Sequence, residues 1–159
     1  LLPWSKIDDF IKLDNSFFDK RENKFVLAAE IDIEKLGEKM KDLKKRLGRT
    51  VKSIYIADER SPNAIVMPAI RLVNGEKIPK DGLTIVTPNP LYTLGDYNSS
   101  GKGAPAAIIC DAFTVLSSKW RDSNSTQSLR SRRGDDTTIR AGIITGVVPS
   151  DGYYFRRGR

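Results

Sequence analysis

From Val51 onward the chain sustains no helical period; it offers a series of brief apolar runs separated by turn-forming groups. The runs cover residues 51–57, 64–73, 83–87, 91–94, 106–110, 113–116 and 139–148, and each is short enough for a strand. Between them stand Ser61-Pro62-Asn63, Asn74-Gly75, Asp81-Gly82, Pro88-Asn89-Pro90, Gly101-Lys102-Gly103 and Asp151-Gly152. Only Asn74-Gly75 and Asp81-Gly82 have the chemistry of a two-residue hairpin. The others bend the chain without closing a ladder. Short strands joined by corners, with no helices between them, predict a right-handed parallel β-helix-like stack, with an antiparallel β-sandwich as the alternative.

The first third reads differently. Trp4, Ile7, Phe10 and Ile11 fall at helical spacing and predict a short amphipathic helix over residues 4–13, followed by an extended run over 25–31. A longer helix follows, its stripe formed by Ile33, Leu36, Met40, Leu43 and Leu47. Asp32 suits its N-cap and Gly48 its left-handed C-cap, with Lys44, Lys45 and Arg46 at the negative end of the dipole. The expected organisation is a helical or α+β cap over 1–50, a strand-rich domain over 51–150 and a basic tail over 151–159. Residues 122–138 hold almost no apolar side chain except Leu129, and so read as one long exposed loop.

Composition removes whole classes of chemistry. The chain has no histidine, which excludes Ser-His-Asp and Cys-His catalysis and most zinc and copper sites. Its one cysteine, Cys110, forms no internal disulfide, and in an apolar strand with no imidazole to activate it the thiol reads as inert. No apolar run reaches the ~20 residues a membrane helix needs. The chain opens on Leu1-Leu2-Pro3-Trp4 with neither Met nor a signal pattern, which reads as a processed or excised piece whose membrane anchor, if any, lies elsewhere. No cofactor is expected. The net charge of +7 is concentrated late, where Arg130, Arg132 and Arg133 form a candidate polyanion contact, although a solvated basic loop and tail is the plainer expectation. No specific nucleic acid is expected.

The middle of the chain resembles a family of bacterial pilus-assembly or minor-pilin-related surface proteins. The resemblance rests on Arg71-Leu72-Val73-Asn74-Gly75, on residues 82–92 (GLTIVTPNPLY), on Gly95-Asp96-Tyr97-Asn98, on residues 106–112 (AAIICDA), on Leu116-Ser117 with Trp120 and Asp122, and on segments 137–139 and 141–146. It spans residues 54–148 and leaves out the Lys-rich first third. Members continue past the Tyr-Tyr region into a Gly-rich aromatic segment, whereas here Tyr153-Tyr154-Phe155 runs into Arg156-Arg157-Gly158-Arg159. The resemblance implies a non-catalytic structural or interaction domain at the cell surface, partnered by other surface or pilus-type proteins or by polysaccharide. It implies no catalytic residues.

Two further patterns compete with that reading. Asp96, Asp111 and Asp122 are candidate acids for a carbohydrate-active enzyme or carbohydrate-binding module, which would need two carboxylates about 5–10 Å apart. Asp96, Asn98 and Asp111 are weak candidates for calcium, a cation that takes oxygen ligands. In each case the plainer expectation is an Asp or Asn satisfying backbone N–H groups at a corner. Gly101-Lys102-Gly103 lacks the spacing of a phosphate loop and reads as a turn. Asn98-Ser99-Ser100 and Asn124-Ser125-Thr126 match the N-glycosylation triplet and suggest exposed stretches. Trp120 is expected to plug the end of a core.

Overall fold

The N-terminal third builds the first edge of the molecule. The structure, a computed structural model, describes residues 9–146. Strand β1 (Ile11–Asp19) and strand β2 (Lys24–Asp32) form an antiparallel hairpin, turning where Asn23 takes a left-handed φ of 53°. The expected helix over 4–13 is corrected here for its last residues, since Ile11 pairs with Ile31 and the Asp32 N–H donates to the Phe10 carbonyl. Residues 1–8 lie outside the described residues. Helical spacing of Phe10 and Ile11 was compatible with either state, and pairing with β2 decides it.

Helix α1 (Ile33–Leu47) follows β2 without a break. The Asp32 carboxylate accepts the Lys35 N–H at 3.0 Å, and Gly48 closes the far end at φ 66° with its N–H on the Lys44 carbonyl, as the sequence predicts. Ile33, Leu36 and Met40 are buried, while Leu47 is exposed, so the stripe leaves the core in its final turn.

Beyond α1 the chain shuttles between two sheets. One has the order β1-β2-β4-β6-β8, using β4 (Val66–Val73), β6 (Leu91–Leu94) and β8 (Phe113–Leu116). The other has the order β3-β5-β7-β9, using β3 (Ser53–Tyr55), β5 (Leu83–Val86), β7 (Ala106–Ile109) and β9 (Gly142–Ile144). Every pairing except β1–β2 is parallel. The architecture is therefore mixed α/β and mainly strands, in two sheets with one helix. The antiparallel sandwich is overturned by this pairing. Asn74-Gly75 and Asp81-Gly82 close no hairpin either; each lies between strands of different sheets.

In-register parallel pairing stacks like on like. In the first sheet Ala29, Ile70, Leu91 and Phe113 form one row, and in the second Ile54, Ile85, Ile108 and Ile143 form another. Both rows contribute to the main core, apart from the exposed Ile143 at the end of the second, and Ile31, Leu72 and the buried face of α1 complete it. A third line of contact runs along the corners, where Gly75, Tyr97 and Ile139 meet in isolated parallel bridges. Gly75 is required there because a Cβ would stand 2.8 Å from the Tyr97 ring.

The opposite face of the first sheet carries a second core of Phe17, Val26, Ala28, Ala69, Tyr92 and Leu116. It is covered in part by Trp120, as expected for a core plug, and by the segment that follows. That segment is largely exposed, but it has two short 3-10 turns, Asp122–Asn124 and Leu129–Ser131. Ser125 anchors it, buried and accepting the Phe18 N–H on Oγ at 3.0 Å. Leu129, its one large apolar residue, is 79% exposed.

Two substitutions of the same kind should have opposite signs. Gly75→Ala forces the Tyr97 ring aside and should lower stability by about 1–3 kcal/mol. Gly37→Ala, in α1 with only ordinary contacts to Pro79, should raise it by roughly 0.5–1 kcal/mol. Urea unfolding midpoints read both. Thr93 stands in an apolar row with its hydroxyl buried and unpartnered among the described residues. Thr93→Val should therefore raise the midpoint, by about 1 kcal/mol.

Candidate functional site

The most densely hydrogen-bonded charged cluster lies on the outer face of the first sheet. Arg71 on β4 is 3% exposed. Its Nε and Nη2 donate to Glu30 Oε2 at 3.0 and 2.7 Å, and its Nη1 donates to both oxygens of Asp122 at 2.7 and 2.9 Å. Its guanidinium sits 5.5 Å from the centre of the Phe17 ring. Burial works against its charge, but the two carboxylates outweigh that and hold the guanidinium protonated. Trp120 Nε1 donates to Asp122 Oδ1 at 2.8 Å while its ring meets Phe17 edge to face. Asp122, one of the candidate catalytic acids, is thus occupied in fastening the 117–131 segment to the sheet.

A second polar cluster stands beside it. Tyr92 Oη donates to Asp19 Oδ2 at 2.8 Å, and Arg21 donates to Asp19 and to Thr114 Oγ1. Burial raises the Asp19 pKa, yet hydrogen bonds from Arg21 and Tyr92 override it and bring the carboxyl down to about 2. Burial first, and then donation to Asp19, pushes the Tyr92 phenol up.

The other sequence candidates sit at corners. Asp96 lies just past β6 and accepts the Thr138 N–H on Oδ1 at 2.9 Å. Asn98, at φ 55° and 4% exposed, donates Nδ2 to the carbonyls of Ala104 and Arg140 and accepts the Ala104 N–H. Its amide is consumed, so Asn98 is neither an exposed glycan acceptor nor a free metal ligand. Asp111 lies at the bend between β7 and β8, where its N–H donates to Asn89 and its carbonyl accepts the Gly146 N–H. Asp96 and Asn98 share one corner and Asp111 occupies another. Among the described residues no three His, Cys, Asp or Glu side chains group closely enough to hold a metal. Gly101-Lys102-Gly103 is a turn with both glycines at positive φ. Cys110 is buried, which pushes its thiol up to about 11 with help from the Asp111 charge.

Three surface hollows among the described residues bear on these candidates. A cleft of about 430 Å³ is lined by Glu76, Asp96, Ser118, Asp135 and Asp136; neither Asp111 nor Asp122 reaches it. A groove of about 520 Å³ between α1 and the 74–81 segment sets Lys41, Lys44, Lys77 and Lys80 among Glu34, Glu38, Glu76 and Asp81 over Met40, Ile78 and Pro79. A narrow crevice of about 30 Å³ takes in Arg132 and Arg133 together with Lys119, Trp120 and Arg121. Arg130 does not line it. The sequence reading missed Lys119 and Arg121, although the run Lys119-Trp120-Arg121, cations on both sides of an indole, was the signal that could have found them.

Compared with family models, with curated proteins and with solved structures, the chain matches none.

Removing the guanidinium of Arg71 leaves Glu30 and Asp122 facing each other without their counter-charge. Arg71→Met should cost about 3 kcal/mol, near the low end for a broken buried pair because both acids keep some contact with water. Urea titration reads it. For Asp19 the folded pKa lies below the ordinary 3.8, so its contribution is present above that value and is lost as pH falls toward about 2. Asp19→Asn should flatten the acid limb of stability in that window, measured as unfolding midpoint against pH.

Proposed function

We propose that this chain is a non-catalytic structural and interaction domain of an exported bacterial surface or pilus-associated protein, built as a short right-handed parallel β-helix whose first turn is covered by α1 and the β1–β2 hairpin. The path of the chain supports the β-helix reading, since β4 to β9 alternate strictly between two parallel sheets and their corners stack as well. Right-handedness follows from the strong preference of parallel crossovers for that hand. One observation carries the functional reading: the turn residues within the stretches that give the chain its resemblance to pilus-related surface proteins, Gly75, Gly82 and Asn98 among them, are spent on holding corners. Gly75 makes room for Tyr97, Gly82 lies with its Cα hydrogen against the Pro105 carbonyl, and the Asn98 amide ties the backbone at Ala104 to that at Arg140. Such residues are spent on packing and on backbone hydrogen bonds at the corners. The partners of such a domain are other surface or pilus-type proteins, or polysaccharide.

The parent gene product should be degraded when intact cells are treated with protease and should fractionate with the envelope or sheared filaments. A product wholly protected inside unbroken cells would overturn this reading. A carbohydrate-active alternative draws on the Glu76, Asp96, Asp135 and Asp136 cleft. It requires glycan cleavage that Asp96→Asn abolishes, and a broad glycan panel left uncut removes it.

A further inference from the structure

The crevice beside Trp120 is unlike the other two hollows in its charge. Lys119, Arg121, Arg132 and Arg133 line it, and no carboxylate does. The remaining walls come from Ser117 and Ser131, whose hydroxyls can donate or accept, and from Asn124 and the Trp120 indole. The nearest acids are already engaged: Asp122 holds Arg71 and Trp120, and Asp135 takes the Lys119 ammonium at 2.6 Å. Arg121 spends Nη1 on the carbonyls of Ser118 and Trp120, which pins its guanidinium at the rim. Arg132 is the telling residue. Its Nε is buried with no acceptor among the described residues. A buried guanidinium N–H without an acceptor is costly, and an anionic oxygen is the partner that such a donor suits best.

We propose that this crevice is a binding site for a tetrahedral oxyanion, a phosphate or sulfate group, taken either as the free ion or as the tip of an ester. The size of the hollow sets the class: about 30 Å³ admits the oxygens of one such group and not a nucleotide or a sugar ring. The arrangement of charge sets it further. The four cationic residues line one small hollow, and Lys119 and Arg121 already have partners, which leaves Arg132 and Arg133 to take a single group instead of forming the long track that the repeated phosphates of a nucleic acid would require. Planar guanidinium groups from Arg132 and Arg133 can each present two parallel N–H bonds to such a group. The Trp120 ring, fixed by Phe17 and Asp122, stands beside the site, where a bound ester would place its carbon skeleton. The site does not depend on export or on pilus association.

The test uses Trp120 as reporter. The chain has two tryptophans, so Trp4→Phe leaves Trp120 as the sole indole. Fluorescence is titrated with inorganic phosphate and separately with methyl phosphate, at ionic strength held constant with chloride. A saturable change with either ligand is expected, and the preferred ligand distinguishes free ion from ester. Arg132→Gln and, independently, Arg133→Gln should weaken binding about tenfold or more, with near-ultraviolet circular dichroism unchanged. Arg130→Gln, outside the crevice, should leave it within about twofold. Absence of saturation with both ligands overturns the site. So does equal loss on Arg130→Gln, or tighter binding of oligonucleotide than of phosphate with the same response to all three arginines, since either marks diffuse attraction by a basic loop.

Discussion

Parallel, in-register pairing is the constraint from which the rest of this structure follows. When strands stack with side chains directly above one another, each row must be filled by residues that pack on their own kind, and the Ile54, Ile85, Ile108, Ile143 row meets that demand with one residue type. The corners are held to the same repeat. Gly75, Tyr97 and Ile139 stack in line, and the chain reaches each level through a left-handed residue such as Asn74, Gly95 or Asn98. Corner chemistry is therefore as binding as core chemistry, and it accounts for most of the Asn, Asp and Gly that a search for reactive groups would notice first.

The outer face of the first sheet shows a different solution to burial. Apolar residues alone could have covered it, and a buried ion pair gives little net stability over a well-packed hydrophobic substitute. Arg71 instead links three chain segments far apart in sequence: β2 through Glu30, β4 itself, and the post-β8 segment through Asp122. Charges of fixed geometry accept one docking position where oily surfaces accept several. The polar clamp thus fixes where a mostly hydrophilic segment lies, and so places Lys119, Arg121, Arg132 and Arg133 around a common hollow.

Much of the fold was legible from local chemistry. The helix from Ile33 to Leu47 was readable to its caps because capping needs only neighbouring residues, and β6 and β8 were readable because turn groups bracket them closely. Strand β1 was not. Its sequence, IKLDNSFFD, alternates poorly, and what makes it a strand is a partner that follows it and a covering segment a hundred residues later. The exposed reading of 122–138 failed at Ser125 for the same reason, since nothing local says that a serine will accept a hydrogen bond from Phe18. Asn98 was read as a potential ligand or glycan acceptor; only the positions of Ala104 and Arg140 reveal that its amide is already spent. The proposed anion crevice was half legible: composition pointed to the arginines, but only folding separates Arg130 from its neighbours.

The separations between paired strands also carry a consequence for how the molecule is made. Leu91 finds Ile70, and Phe113 finds Leu91, each reaching back only to the turn of chain laid down just before. Such closures cost modest loop entropy, and each uses as its template an edge that already exists. Three closures are longer: β2 to β4, which spans α1 and β3; β3 to β5, which spans β4; and β7 to β9, which spans the whole basic segment. The polypeptide can thus gain order progressively from its first hairpin, with the largest loop entropy cost falling where a helix or a charged excursion separates paired strands.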